Sequence, residues 1–132
     1  MAERTDRQKA GDAAESLVCE RLAARGWQIL ARNVHVGRSE LDIVAIDLGP
    51  PQRLVVVEVR WRRTREFGLA EETFDERKRA HLKAGIARLL ELGSLPGGDE
   101  LPRLPLALDL AVVEPGAGGR PAVRLYRNAL GG

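Results

Sequence analysis

Residues 39–61 read SELDIVAIDLGPPQRLVVVEVRW, and how this stretch folds decides how the rest of the chain folds. Glu40 to Asp47 and Leu54 to Trp61 are two runs rich in Val, Ile and Leu, each the length of one strand. Between them, Gly49-Pro50-Pro51-Gln52 turns the chain, because proline has no backbone donor to give a ladder and glycine accepts positive φ. The two runs therefore form an antiparallel hairpin with its midpoint near residue 50. Residues whose numbers sum to about 100 then face each other, and Asp42 and Glu58 meet that condition. Directly opposed residues share a face of the sheet, with Cβ atoms about 4.5–5.5 Å apart. Asp42, Val44 and Ile46 accordingly share a face with Val56 and Glu58. A slip of the register by two residues leaves both acids on that face.

On the N-terminal side, Ala10, Ala14, Leu17, Val18 and Leu22 recur at helical spacing, which predicts a helix over 7–25 stopped by Gly26. Trp27 to Asn33 reads as a strand with Trp27, Ile29 and Ala31 on one face. Gly37 turns it back toward the hairpin, so three strands make an antiparallel meander. On the C-terminal side, Thr73 and Glu76 have capping-box spacing at the start of a helix over about 75–92. Its apolar face is Ala80, Leu82, Ala84, Ile86, Ala87, Leu89 and Leu90, and Gly93 ends it. Residues 94–105 read as a Pro- and Gly-rich loop, Leu106 to Val113 as a buried strand, Pro115 to Pro121 as a turn and Ala122 to Arg127 as a last strand. The order helix, three strands, helix, two strands predicts a mixed sheet flanked by helices. Residues 1–132 are expected to form a single domain.

Composition narrows the function classes. The chain is 44% apolar and 30% charged, enough to bury a core without metal or disulfide support. Its one cysteine, Cys19, excludes an internal disulfide and a thiolate-rich zinc or iron–sulfur site. His35 and His81 have no metal-ligand spacing to each other or to Cys19. Neither a Gly-rich phosphate loop nor a nucleophile elbow is present. Residues 1–12 are polar, and no run approaches the ~18–20 apolar residues of a membrane span, so a cytoplasmic protein with no membrane partner is expected. The net charge of +2 is not that of a polycation, yet 18 of the 21 basic residues are Arg. With 17 Ala, that bias reads first as GC-rich coding.

Two carboxylates opposed across a hairpin repel each other unless a cation lies between them. Hard oxygen ligands on a rigid hairpin suit Mg²⁺ or Mn²⁺, which activate water and stabilise charge on a phosphodiester. The same spacing fits an arrangement in which each acid pairs with a nearby Arg. Spacing alone leaves both open.

The flanking residues resemble a known pattern. Asp42 follows Ser39-Glu40-Leu41, and Glu58 precedes Val59-Arg60. An Asp, then Glu-x-basic on the next strand, resembles the motif of the PD-(D/E)xK nuclease superfamily. More specifically, the chain resembles the YraN family of predicted endonucleases, itself distantly similar to archaeal Holliday junction resolvases. Gly11 to Glu15 and Leu22 to Gly26 resemble that family's first helix, and Ile29 to Asn33 its first strand. Ser39 to Asp42 and Val57 to Arg60 resemble its two acidic strands. Phe67-Gly68, Lys78, Leu108-Asp109 and Asn128-Ala129 also fit. The resemblance implies a restriction-endonuclease-like α/β fold and a metal-dependent endonuclease acting on DNA, at branched, Holliday-junction-like structures. It implies Glu15, Asp42, Glu58 and Arg60 as the catalytic set. Asp42 and Glu58 would hold Mg²⁺ or Mn²⁺, with the Val59 carbonyl, and Glu15 would orient a metal-bound water. It also implies a homodimer, because related resolvases cut two strands. Read without it, Glu15 is equally a solvated helix residue, and Glu40 equally pairs with Arg60 across the hairpin.

Arg60 stands where the family has Lys. A guanidinium, with its pKa of about 12.5–13.8, keeps the charge but is no base at neutral pH. It can still hold a phosphate oxygen, and a metal ion lowers the pKa of its own water without a lysine. An alternative is therefore a non-catalytic nucleic-acid-binding protein with a degraded nuclease site. A third is a scaffold for protein partners. Arg60, Arg62, Arg63 and Arg65 cluster beside the acids and are expected to contact phosphates, with Lys78 extending the basic surface. Trp61 alternates with Val55, Val57 and Val59 and is expected in the core. Asp109, alone in an apolar run, is expected to be a hydrogen-bonded structural acid.

Overall fold

In the computed structural model, which describes residues 5–62 and 76–129, the chain opens with helix α1, Asp6–Ala24. Thr5 starts it with a capping box. Its hydroxyl accepts from the Gln8 N–H at 3.1 Å, and Gln8 Oε1 accepts from the Thr5 N–H at 2.9 Å. A Schellman turn ends it: Gly26 takes φ +90°, its N–H donates to the Ala23 carbonyl, and the Trp27 N–H donates to the Leu22 carbonyl. The turn carries Trp27 into the same apolar cluster as Leu22.

Five strands follow among the described residues, in the spatial order of the sequence: β1 (Gln28–Val36), β2 (Ser39–Asp47), β3 (Arg53–Trp61), β4 (Leu106–Pro115) and β5 (Pro121–Tyr126). The first three form the expected antiparallel meander, β3 and β4 run parallel, and β4 and β5 are antiparallel. A parallel neighbour needs a long crossover, and helix α2 (Glu76–Leu92) lies within it. The result is the expected restriction-endonuclease-like α/β architecture, a mixed sheet with α1 and α2 packed on it. No helix among the described residues is long and apolar enough to cross a membrane.

Two apolar clusters lie on the sheet. Ala14, Val18, Leu22 and Trp27 pack with Ile43, Val55, Val57 and Ala111 under α1. Leu82, Ile86 and Leu89 of α2 pack with Leu41, Val44, Val56 and Leu108 in the other. Gly85 brings α2 close to β2: a Cβ there would stand 2.6 Å from the Ser39 Cβ. Ser39 Oγ donates to the His81 carbonyl at 3.3 Å, tying the same two elements.

Three expectations are corrected. Leu30 is an extra residue in β1, since Ile29 pairs with Ala45 while Ala31 pairs with Val44. This bulge resets the alternation, so Ile29 packs under α1 but Ala31 packs against the α2 cluster. The buried face of α2 is only Leu82, Gly85, Ile86 and Leu89, one stripe at i, i+3, i+4, i+7. Ala80, Ala84, Ala87 and Leu90 are exposed. Trp61 is 46% exposed rather than in the core. It ends β3, where β2 has already stopped pairing and Val113 of β4 is its ladder partner. Thr73 and Phe67-Gly68 lie outside the described residues.

Asp109 has the expected structural role. It is fully buried, accepts the Asn128 N–H at 2.9 Å, and pairs with Arg127 Nε at 2.6 Å. The same guanidinium donates to Asp47 at 2.8 Å and lies over the Trp27 ring at 5.1 Å, latching the C-terminal segment across the sheet.

Candidate active site

The hairpin register is the expected one. Ile43 pairs with Val57, Val44 with Val56 and Ala45 with Val55, each summing to 100. The ladder stops at Ile43–Val57, and Asp42 and Glu58 are the next pair outward. Here β2 also loses its two-residue alternation, because Leu41 packs in the α2 cluster and Ile43 in the α1 cluster. The two strands fork at the acids. The Val59 N–H donates to Asp42 Oδ2 at 2.8 Å, so a side chain holds β3 where the ladder has ended.

The carboxyls of Asp42 and Glu58 lie close enough that each perturbs the ionisation of the other. Two ionised carboxylates offer only acceptors, so bringing them together favours a proton or a cation at the fork. Burial, then the charge of Asp42, pushes Glu58 up to about 7. Burial also raises Asp42, against the lowering effect of the Val59 N–H that it accepts. Glu58 is only 5% exposed. Among the described residues, Lys78 of α2 stands beside it with Nζ at 3.4 Å and Arg60 of β3 with Nε at 3.8 Å.

Glu15 of α1 comes to the same fork. Burial and the charge of Asp42 push it up to about 7, with the Arg32 guanidinium opposing. Arg32 is itself held by Ser16, donating to its hydroxyl at 3.2 Å. Asn33 takes φ +51°, a left-handed conformation that Asn tolerates better than most residues. Its side-chain amide, oriented with nitrogen toward the acids, donates to Glu15 Oε1 at 3.0 Å and Glu40 Oε1 at 3.1 Å. Glu40 therefore pairs with Asn33, and Arg60 leans on Glu58 instead of Glu40.

The donor set fits a divalent cation. Asp42 and Glu58 are adjacent hard oxygen ligands, and the charge of Asp42 raises the cost of ionising Glu58. Among the described residues no three His, Cys, Asp or Glu side chains form a ready cage. An ion here would take two carboxylates and complete its shell largely with water, as Mg²⁺ commonly does.

The structure thus brings Glu15, Asp42, Glu58 and Arg60 together, and adds Lys78. Arg62 is tied at the end of β3, its N–H donating to the Val113 carbonyl at 2.8 Å. Arg63 and Arg65 lie outside the described residues. Asn33 is the functional candidate that residue patterns missed. Its role as a bridge between Glu15 of α1 and Glu40 of β2 leaves no mark in the residue pattern.

Comparison with known proteins places the chain. A profile of the family described as uncharacterised protein family UPF0102 matches residues 14–113, a span that contains Glu15, Asn33, Asp42, Glu58 and Lys78. A UPF0102 protein of Symbiobacterium thermophilum is 40% identical over 121 residues, covering 92% of this chain and 95% of that protein. One of Dehalococcoides mccartyi is 31% identical over 126 residues, covering 96% of each. Pyrococcus furiosus SfsA, solved in complex with Ca²⁺, overlays 92% of this chain and 64% of its own at a TM-score of 0.40 and 17% identity, too loose to carry an argument.

Proposed function

This chain belongs to the UPF0102 family, and from that premise and the forked acid pair we propose that it is a divalent-metal-dependent endonuclease that hydrolyses DNA phosphodiester bonds, at branched, Holliday-junction-like structures. The observation that carries the reading is the Asp42–Glu58 pair, Glu58 buried and Asp42 half-buried, held together against its own repulsion with Glu15 alongside. Such an arrangement is costly in the absence of a cation and serves one when it is present.

In this reading Asp42 and Glu58 hold Mg²⁺ or Mn²⁺. When bound, the ion lowers the pKa of its water and offsets charge on the phosphate. Glu15, fixed by Asn33, accepts a hydrogen bond from the attacking water and orients it toward phosphorus. Arg60 and Arg62 neutralise phosphate oxygens beside the fork, joined by Arg63 and Arg65. A homodimer would present two such forks to the two strands of a junction.

The second reading, a nucleic-acid-binding protein without catalysis, is favoured by one specific observation. Glu58 already has Lys78 and Arg60 beside it, and Arg60 occupies the position of the motif lysine. Cleavage and binding of four-way-junction and linear DNA with Mg²⁺ or Mn²⁺, by wild type and Glu58→Gln, separate the two. The nuclease reading expects cleavage by wild type and none by the variant. Binding by both without cleavage by either selects the second. Equal cleavage by both rejects the acid pair as the site.

A further inference from the structure

We propose that Lys78 supplies the ammonium that the acid site uses, in place of the arginine on β3. The proposal rests on the nuclease reading above and deepens it. The two cations near Glu58 come from different elements, and the helical one is nearer, at 3.4 Å against 3.8 Å. They also differ in kind. Arg60 approaches Glu58 with Nε, which carries a single hydrogen, and the rest of its donors are fixed in one plane. An ammonium is a compact charge with three donors that rotate to suit the oxygens around it.

The fold holds Lys78 there. Leu82, one helical turn on, is fully buried, so residue 78 lies on the sheet-facing side of α2. The close approach at Gly85 and the Ser39–His81 hydrogen bond dock that helix on β2. Lys78 is accordingly half-buried, with 35% of its side chain exposed, and is not a loose surface charge. Beside Glu58 its Nζ can donate to a phosphate oxygen and to the attacking water. No proton leaves Nζ in this role: it orients and offsets negative charge.

The chain has three lysines, Lys9, Lys78 and Lys83, so lysine ¹³Cε labelling gives three resonances. The resonance missing in Lys78→Met is expected to move on Glu58→Gln and on adding Mg²⁺ to wild type, while the other two stay. In cleavage assays with Mg²⁺, Lys78→Met is expected to lower kcat about 10²-fold with little change in DNA affinity. Lys78→Arg keeps charge and ion pair, folds, and stays slow. Exposed Lys83→Met on the same helix keeps the wild-type rate. Arg60→Lys placed in the Lys78→Met background restores most of the lost rate, because it returns an ammonium to the fork from β3. The proposal is overturned if the Lys78 resonance ignores Glu58→Gln, if Lys78→Met cleaves at the wild-type rate, or if Lys78→Arg restores it. If wild type itself cleaves nothing while the resonance still responds, the nuclease reading fails and takes this role with it.

Discussion

Asp42→Asn should make this protein more stable as it makes it inactive. At about pH 8 and without metal, the wild-type fork must hold a buried and a half-buried carboxylate side by side. Glu58 is pushed from 4.5 to about 7. Each unit is ~1.4 kcal/mol, so ionising Glu58 in the folded state costs on the order of 3 kcal/mol. Burial is the first cause and survives the substitution; the charge of Asp42 is the second and does not. Removing it should recover about 1–2 kcal/mol. Asn fits the same place, its Oδ1 accepting the Val59 N–H and its amide nitrogen turned to donate to Glu58. The pH dependence has a definite sign. Folding raises the pKa of Glu58, so between 4.5 and about 7 the folded state binds more protons than the unfolded one. The site is at its most favourable below that window, and stability is lost as pH rises through it. Asp42→Asn should therefore raise the thermal midpoint by about 4–8 °C at pH ~8, and by little at pH ~5. Thermal unfolding followed by circular dichroism, in EDTA, reads this directly. Adding Mg²⁺ should raise the midpoint of wild type and leave the variant unmoved. A variant no more stable than wild type at pH ~8, or equally stabilised at both pH values, would refute the electrostatic account.

Three further outcomes are expected. Asn33→Gly keeps the left-handed backbone but removes the clamp on Glu15, so kcat should fall about tenfold or more with the urea midpoint nearly unchanged; a normal kcat would remove Asn33 from the site. Arg127→Ala leaves Asp109 buried with only the Asn128 N–H, and should cost about 3 kcal/mol in urea unfolding; a loss under about 1 kcal/mol would mean that the latch contributes little. Because a proton and a metal ion compete for Asp42 and Glu58, Mn²⁺ affinity by calorimetry should rise as pH passes upward through about 7 and be lost in Asp42→Asn; pH-independent binding would place the ion elsewhere.

The acid pair was legible because a hairpin is a local object. A turn of Gly and two prolines sets the midpoint, and parity then puts Asp42 opposite Glu58, as the Val44–Val56 and Ala45–Val55 pairs bear out. Asp109 was legible for a similar reason, since an acid inside an apolar strand must find partners. Parity failed wherever the backbone departs from it. The Leu30 bulge sent Ala31 to the other face, and Trp61 lost its cover when β2 forked away. Alanine misled the reading of α2, because it sits as readily in water as in a core, and only Leu82, Ile86 and Leu89 with Gly85 mark the buried stripe. Lys78 beside Glu58 depends on where a crossover helix lands, which is set by contacts far apart in sequence, such as Ser39 with His81. Asn33 as a bridge between α1 and β2 is non-local in the same way.

The central claim is that Asp42 and Glu58 together bind a divalent cation. Diffraction from a crystal soaked in Mn²⁺, recorded near the manganese absorption edge, tests it directly. The account predicts one anomalous peak at the fork, bonded to an oxygen of each carboxylate, and its disappearance in Asp42→Asn. A fork without a peak, with Lys78 still against Glu58, would contradict it.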